Sequence, residues 1–221
     1  GSFNPASIAV DDDVTLTMTA AQANAETITG AGNVTVTGTS ITTLDLSSVT
    51  ANIDISGVNS GGAITTLTYG TVGSSQTVTL TGLQANAETI AGTGVTIVKT
   101  LGASTNLGSI TTTNLTLQLA GNVTFGGTFN TGPAVTFDTD NDTTARTVDI
   151  STATNLPASI AVDDDVTITL TATQANTLTM TGAGTAIVTS LAATTNLSSV
   201  SVAALTLQLA GDVTYTGSVH G

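Results

Sequence analysis

ASIAVDDDVT at Ala6–Thr15 returns letter for letter at Ala158–Thr167, 152 residues further on. LTLQLAGNVTF at Leu115–Phe125 returns as LTLQLAGDVTY at Leu205–Tyr215, an offset of 90, and QANAETI at Gln22–Ile28 returns at Gln84–Ile90, an offset of 62. A chain that copies itself several times is a repeat architecture, in which each unit buries its apolar side by stacking on the next. Inside the copies the pattern alternates with period two. Val14, Leu16 and Met18 alternate with Thr15, Thr17 and Thr19; Val166, Ile168 and Leu170 alternate with Thr167, Thr169 and Thr171. That period puts apolar side chains on one face of a strand and threonines on the other.

The strands are short and recur every 8–12 residues or so, separated by Gly, Ser and Asn. The pattern predicts strands over 43–49, 52–58, 64–69 and 76–81, and brief helical turns over 21–26 and 85–88. The expected fold is all-β: a parallel β-helix or β-solenoid built from divergent repeats near 13–70, 77–130 and 165–219. Tandem β-sandwich domains are the alternative, because offsets of 62 and 90 approach the size of such domains. The unequal intervals between the QAN segments at Gln22, Gln84 and Gln174 favour the solenoid, which gains or loses a coil without losing its core. A coil of roughly 20–30 residues implies about seven to ten coils and a rod roughly 35–50 Å long. Residues 3–221 read as one elongated domain, Gly1-Ser2 as a cloning scar, and Asn155-Leu-Pro157 as the best boundary candidate.

Two Lys plus Arg stand against 15 Asp plus Glu, a formal charge of −13. Phosphate binding needs a basic footprint, so nucleic acid is excluded and anionic membrane surfaces are disfavoured. Cations are the natural partners. Charged residues are only 8% of the chain, so most of the surface is Thr, Ser, Asn and Gly. Hydrophobic residues make up 40% and aromatics 3%, which predicts a core of thin Val, Ile, Leu, Ala and Thr layers. No apolar run reaches the roughly 18–20 residues of a membrane span. There is no cysteine.

LTMTAAQANAETITGAGNVTVTG (Leu16–Gly38) and ITTLDLSSVTANIDISGVNSGG (Ile41–Gly62) resemble the β-solenoid stretches of bacterial surface-layer proteins and large type-I-secreted adhesins. The resemblance covers most of the chain. It implies a lattice-forming scaffold on the bacterial cell surface, often calcium-dependent, with self-association or neighbouring surface subunits as partners. An adhesin module binding glycan or another surface is the alternative. The Gly-Gly-x-Gly-x-Asp nonapeptide of the calcium-binding toxin repeats is absent, so any Ca²⁺ must bind elsewhere.

Asp138, Asp140 and Asp142 have the 1-3-5 spacing of a calcium loop, and Asp149 falls at position 12. Position 6 is Thr143 rather than the usual glycine, and Arg146 sits within the loop, where it can neutralise carboxylates without metal. The weaker cation candidates are Asp11-Asp12-Asp13 and Asp163-Asp164-Asp165. Neighbouring carboxylates repel, yet three consecutive side chains of an extended segment cannot all reach one ion. For each cluster the plain alternative is a solvated acidic turn. The Thr-x-Thr runs raise an ice-binding reading, which needs one fixed interval, whereas these runs begin irregularly. The sequons at Asn33, Asn114, Asn122 and Asn141 are expected by chance in so Asn- and Thr-rich a chain. The only histidine is His220, and no nucleophile–base pair is credible, so no catalytic residue is assigned and the chain is not expected to be an enzyme.

Overall fold

The computed structural model describes residues 5–140 and 142–219; Gly1-Ser2, Asn141 and His220 lie outside them. Every strand pairing among the described residues is parallel, and successive rungs come from successive windings of the chain. The fold is a parallel β-solenoid, not tandem sandwiches. One column of rungs runs its whole length: Thr15–Thr19, Asn33–Thr37, Asn52–Asp54, Thr77–Thr81, residues 95–99 and 114–118, Ala134–Asp138, Ser159–Val162, and residues 179–182 and 200–202. Ten rungs at about 4.8 Å make a rod about 45 Å tall. Rung spacing varies from 18 residues (Thr15 to Asn33) to 25 (Ala134 to Ser159).

The alternation read from sequence becomes two vertical rows. The inward row is Leu16, Val34, Ile53, Val78, Thr96, Leu115, Val135, Ile160, Met180 and Val200. All but Leu16, in the first coil, are buried. Each apolar member contributes about 1.5–3 kcal/mol by leaving water. The one polar member, Thr96, shares a hydrogen bond with buried Thr112 at 2.9 Å between hydroxyl oxygens, so its hydroxyl carries no desolvation penalty.

Two flanking columns share this long one. An early column (Ile8–Val10, Ile28–Gly30, then residues 90–92 and 110–112) precedes it in the chain. A late column (Val123–Thr124, Arg146–Asp149, Val166–Thr171, residues 185–189 and 204–207) follows it. The switch falls where Ala134–Asp138 stacks on residues 114–118. Consequently the two copies of ASIAVDDDVT occupy different sides of the rod. Ile8–Val10 lies in the early column, whereas Ser159–Val162 continues the long one. The offset of 62 spans three whole coils, and the offsets of 90 and 152 cross the switch. A column of pleats is the same surface on every side, so one text serves both.

Three of the four phenylalanines fill the lumen at this switch, a departure from the purely aliphatic core expected. Phe125 and Phe129 have ring centroids 4.8 Å apart, Phe129 and Phe137 6.4 Å apart, and all three are buried. Offset and edge-on packing of this kind adds about 0.5–1.5 kcal/mol per pair beyond burial.

Two repeated phrases hold coil to coil. In the QAN phrase, Thr19, Thr81 and Thr171 cap the short helices α1 (Ala20–Ala23), α2 (Gly82–Ala85) and α3 (Ala172–Ala175). The glutamine three residues on closes the capping box. The Gln84 amide then donates down to the Ile55 and Val58 carbonyls of the preceding coil, at 2.9 and 3.1 Å. Gln174 does the same to Ile150 and Ala153. The asparagine two residues further reaches up: Asn24, Asn86 and Asn176 accept from the main-chain N–H of Asp45, Asn106 and Asn196 in the next coil. Between them Ala23, Ala85 and Ala175 are buried.

The second phrase is Asp-x-Ser. Asp45, Asp54 and Asp149 accept from the main-chain N–H of Ser47, Ser56 and Ser151 at 2.8–2.9 Å. These turns end the strands at Leu46, Asp54 and Asp149, so the strands predicted over 43–49 and 52–58 stop at Thr43–Leu46 and Asn52–Asp54. Asp45 and Asp54 are corner residues for this reason. The Ser47 hydroxyl and N–H hold the Asp45 carboxyl below its usual range.

Candidate functional site

The first polar surface is the outward row of the long column, Thr17, Thr35, Asp54, Thr79, Ile97, Thr116, Thr136, Ala161, Thr181 and Ser201, of which Thr79 is buried. Asp54, which makes a corner turn with Ser56, and Ile97 and Ala161 interrupt the row.

The second surface is a groove of about 350 Å³ along the corner that follows the long column, lined by Lys99, Gln118, Thr139, Asp140, Asp142 and Arg146 among others. Both basic residues of the chain stand here. Lys99 Nζ lies 3.4 Å from the Asp54 carboxylate, and Arg146 Nη2 lies 2.9 Å from that of Asp142. These partly exposed pairs contribute under about 1 kcal/mol each.

The predicted calcium loop forms one wall of this groove. Asp138 accepts from the main-chain N–H of Asp140 at 3.1 Å. The Gln118 amide donates to Asp140 at 2.8 Å and more weakly to Asp138 at 3.5 Å. Asp142 accepts from the Thr144 hydroxyl and N–H, at 2.7 and 3.1 Å. Those bonds, with the Arg146 charge, hold its carboxyl below the usual range. Asp149 sits apart at its own corner turn with Ser151. Among the described residues no three His, Cys, Asp or Glu side chains gather as a metal cluster, and Asn141 of this loop is outside them.

Asp11-Asp12-Asp13 and Asp163-Asp164-Asp165 form equivalent turns, closed by Val14 and Val166 N–H donating to the Asp11 and Asp163 carbonyls at 2.9 and 3.0 Å. Asp11, Asp12, Asp13, Asp163 and Asp164 are exposed and Asp165 is half-buried. Coil stacking joins two of the predicted clusters at one point. The Asp163 N–H donates to the Phe137 carbonyl at 3.1 Å, and the Asp163 carboxyl comes within hydrogen-bonding reach of Asp138. Partial burial, then the Asp138 carboxylate, raise the Asp163 carboxyl above its usual range. Sequence spacing alone could not reveal this pair. Its members are 25 residues apart, and only the length of the intervening coil brings them together.

Both tyrosines serve the fold. Tyr69 Oη accepts from the Gln76 amide at 3.0 Å, and burial pushes its phenol well up. Tyr215 Oη lies 2.8 Å from both the Thr195 and the Ser218 carbonyl oxygens. Gln76 is a latch that the QAN pattern does not announce: it is buried, and its amide also donates to the Val49 and Ala51 carbonyls of the coil below. No family model, curated protein or solved structure matches the chain.

Proposed function

We propose that this chain is a non-catalytic structural module, a stiff rod that contributes to a scaffold on an outer bacterial surface. The supporting observation is the continuous ten-rung ladder, latched at several coil boundaries by the Gln and Asn stitches. It encloses one aliphatic and phenylalanine column and turns a nearly neutral Thr/Asn face outward. The location rests on the resemblance of 16–62 to surface-layer text and on the acidic, cysteine-free composition. The experiment is electron microscopy and sedimentation of the purified chain with and without millimolar Ca²⁺. Ordered sheets or defined oligomers are the expected result; a monomer under every condition overturns the reading.

Calcium enters through the Asp138–Asp163 pair. Two carboxylate groups from stacked coils offer hard oxygen ligands of the type Ca²⁺ takes, with water completing the shell. A cation there would clip one coil to the next. Excess Ca²⁺ is therefore expected to raise the melting temperature over EGTA, by about 2.7 kcal/mol of stability at a hundredfold excess over Kd. The Asp163→Asn variant should lose most of that gain. An equal calcium response in both proteins removes the pair from consideration.

The pH dependence has a definite sign. The Asp163 carboxyl is raised in the fold, so its stabilising contribution is full below the unfolded value of about 3.9 and is lost as pH rises through the folded value. Without calcium at pH 7, Asp163→Asn is expected to be more stable than the parent by at most about 1 kcal/mol, since water screens both groups. The advantage should vanish near pH 3. Urea titrations at the two pH values check it.

An adhesin module is the second reading, favoured by the corner groove with its mixed Lys99, Gln118, Asp140 and Arg146 lining. Retention on a glycan array, abolished by Arg146→Ala with the rod intact by circular dichroism, would select it.

A further inference from the structure

Nine steps separate the ten rungs of the long column. Seven of them take 18–20 residues, whereas Ile53 to Val78 and Val135 to Ile160 each take 25. Most of the surplus falls at one corner, the corner that follows the column. The chain passes from Val34 to Leu44 in ten residues, but takes fourteen from Ile53 to Leu67, which stacks on Leu44. It passes from Leu115 to Val123 and from Ile160 to Ile168 in eight, but takes thirteen from Val135 to Val148, which stacks between them. Insertions gathered on one face of a solenoid are the usual mark of its binding face.

The two loops wall a single cleft. Ser56, Ser60 and Gly62 line a groove of about 510 Å³ together with Leu83, Lys99 and Thr100. Thr139, Asp140 and Arg146 line the groove of about 350 Å³ together with Gln118, Lys99 and Thr100. Lys99 and Thr100 belong to both, so the grooves run together along the rod. They reach from the rung of Asp54 to that of Asp138, four steps or about 19 Å. The walls are braced from within: the Thr81 hydroxyl donates to the Gly61 carbonyl and the Thr139 hydroxyl to the Asp142 carbonyl, both at 2.6 Å. Ser60, Thr100 and Asp140 hold φ of 53°, 52° and 58°, a conformation that clusters at ligand clamps.

This cleft concentrates what the rest of the surface lacks. It holds the only lysine and the only arginine of the chain. Among the described residues, the buried side-chain polar atoms without a hydrogen-bond partner are Gln118 Oε1 and Arg146 Nε, both in its wall. One needs a donor and the other an acceptor, and a hydroxyl group is both. Arg146 is held by a partly exposed pair with Asp142, so its side chain turns outward at little cost. Leu83 at the lip is 65% exposed, where the matching residues of the other two QAN helices are Ala21 and Thr173. The lining selects among ligands. An anion meets a chain of charge −13 whose two cations here are already paired with Asp54 and Asp142. A cation meets Lys99 and Arg146. An extended peptide finds no open strand edge, because the rungs behind the cleft are paired on both sides. We propose that the corner cleft binds an uncharged linear glycan of about four sugar rings, roughly one to a rung. Its hydroxyls bond to Gln118 and Arg146, and the apolar face of one ring rests on Leu83. The proposal deepens the adhesin reading and rests on it.

Isothermal titration calorimetry of the full chain tests this with three neutral series of two to six rings: oligosaccharides of β-1,4-glucose, β-1,4-N-acetylglucosamine and α-1,4-glucose. In at least one series, affinity should rise about tenfold or more from two rings to four and then level off. Leu83→Ala and Arg146→Ala, each verified folded by circular dichroism, should each weaken the four-ring ligand about fivefold or more. Thr173→Ala, which alters the counterpart of Leu83 outside the cleft, should leave it unchanged. No binding in any series, no gain beyond two rings, undiminished affinity in either cleft variant, or tighter binding of an oligogalacturonate of equal length overturns the proposal. If the chain is retained on a glycan array by charged or branched glycans alone, and Arg146→Ala abolishes that retention, the four-ring cleft falls and the adhesin reading stands. If the array is blank and no series binds, both fall.

Discussion

Replacing Gly182 by alanine should cost the protein about 3 kcal/mol or more, among the largest effects expected of a single added methyl group. Gly182 sits at φ +120°, a conformation that L side chains rarely adopt. A Cβ there would press on the carbonyl oxygen of Val162 in the coil below and come within 2.9 Å of its carbonyl carbon. The obstacle is backbone in a hydrogen-bonded rung, so it cannot swing aside as a side chain would. Conformational strain and steric overlap therefore act together, the combination that produces the long tail of destabilising mutations. Gly92, at φ +144° over Val72, is its counterpart in the first half. Gly121→Ala is the control: nothing lies within 4 Å of the added methyl, and its effect should stay within about 0.5 kcal/mol. Urea unfolding of the three variants measures this directly. Because each coil touches only its neighbours, Gly182→Ala should also broaden the transition by loosening the last coils before the rest. A Gly182→Ala midpoint equal to that of the parent would show that the bend yields, and this account of Gly182 and Gly92 would fail with it.

The same glycines show why the fold was legible. Repeat offsets and Thr alternation specify stacked strands, and the positions of the strands Thr66–Tyr69 and Thr77–Thr81 follow from them within two residues. What the letters could not reveal is the phase of the winding. ASIAVDDDVT has the same local preferences at 6–15 and at 158–167. Its column is decided by what has already been laid down beneath it, chiefly the insertion of Leu119–Thr124 as an extra side after residues 114–118. The phenylalanines were equally unreadable as a group. Phe125, Phe129 and Phe137 look scattered in sequence and meet only because the widened coils put them on one axis.

Candidate sites were less legible for a related reason. Spacing arguments such as the 1-3-5 rule assume that ligands converge within a loop. In a solenoid the close neighbour of a residue is the one about twenty positions away. Asp142 and Asp149 each turn to a serine or threonine two residues on. Asp138 instead meets Asp163 one coil up. Gln118, which bridges Asp138 and Asp140 from one coil down, carries no signal of its own because glutamine belongs to no metal or catalytic pattern.

The three QAN glutamines provide a graded test of how coils are held. Gln84 is buried, its Oε1 accepts from the Thr81 N–H at 2.8 Å, and its amide donates to two carbonyls of the coil beneath. Gln22 makes the same capping bond to Thr19 at 2.9 Å, but it lies in the first coil and is exposed. Gln174 caps Thr171 and keeps one strong downward bond at 2.9 Å and one weaker at 3.4 Å. Loss of a cap costs about 1 kcal/mol, and stranding a buried carbonyl costs about 1–3 kcal/mol more. Alanine substitution should therefore cost about 1 kcal/mol or less at Gln22, about 2 at Gln174 and about 3 at Gln84. Gln84→Glu should be no better than alanine, since it keeps the capping acceptor but turns a carboxylate toward two carbonyl oxygens. Equal costs at Gln22 and Gln84 would mean that the helix cap is the whole function of the phrase. The graded order would mean that it fastens each coil to the one before.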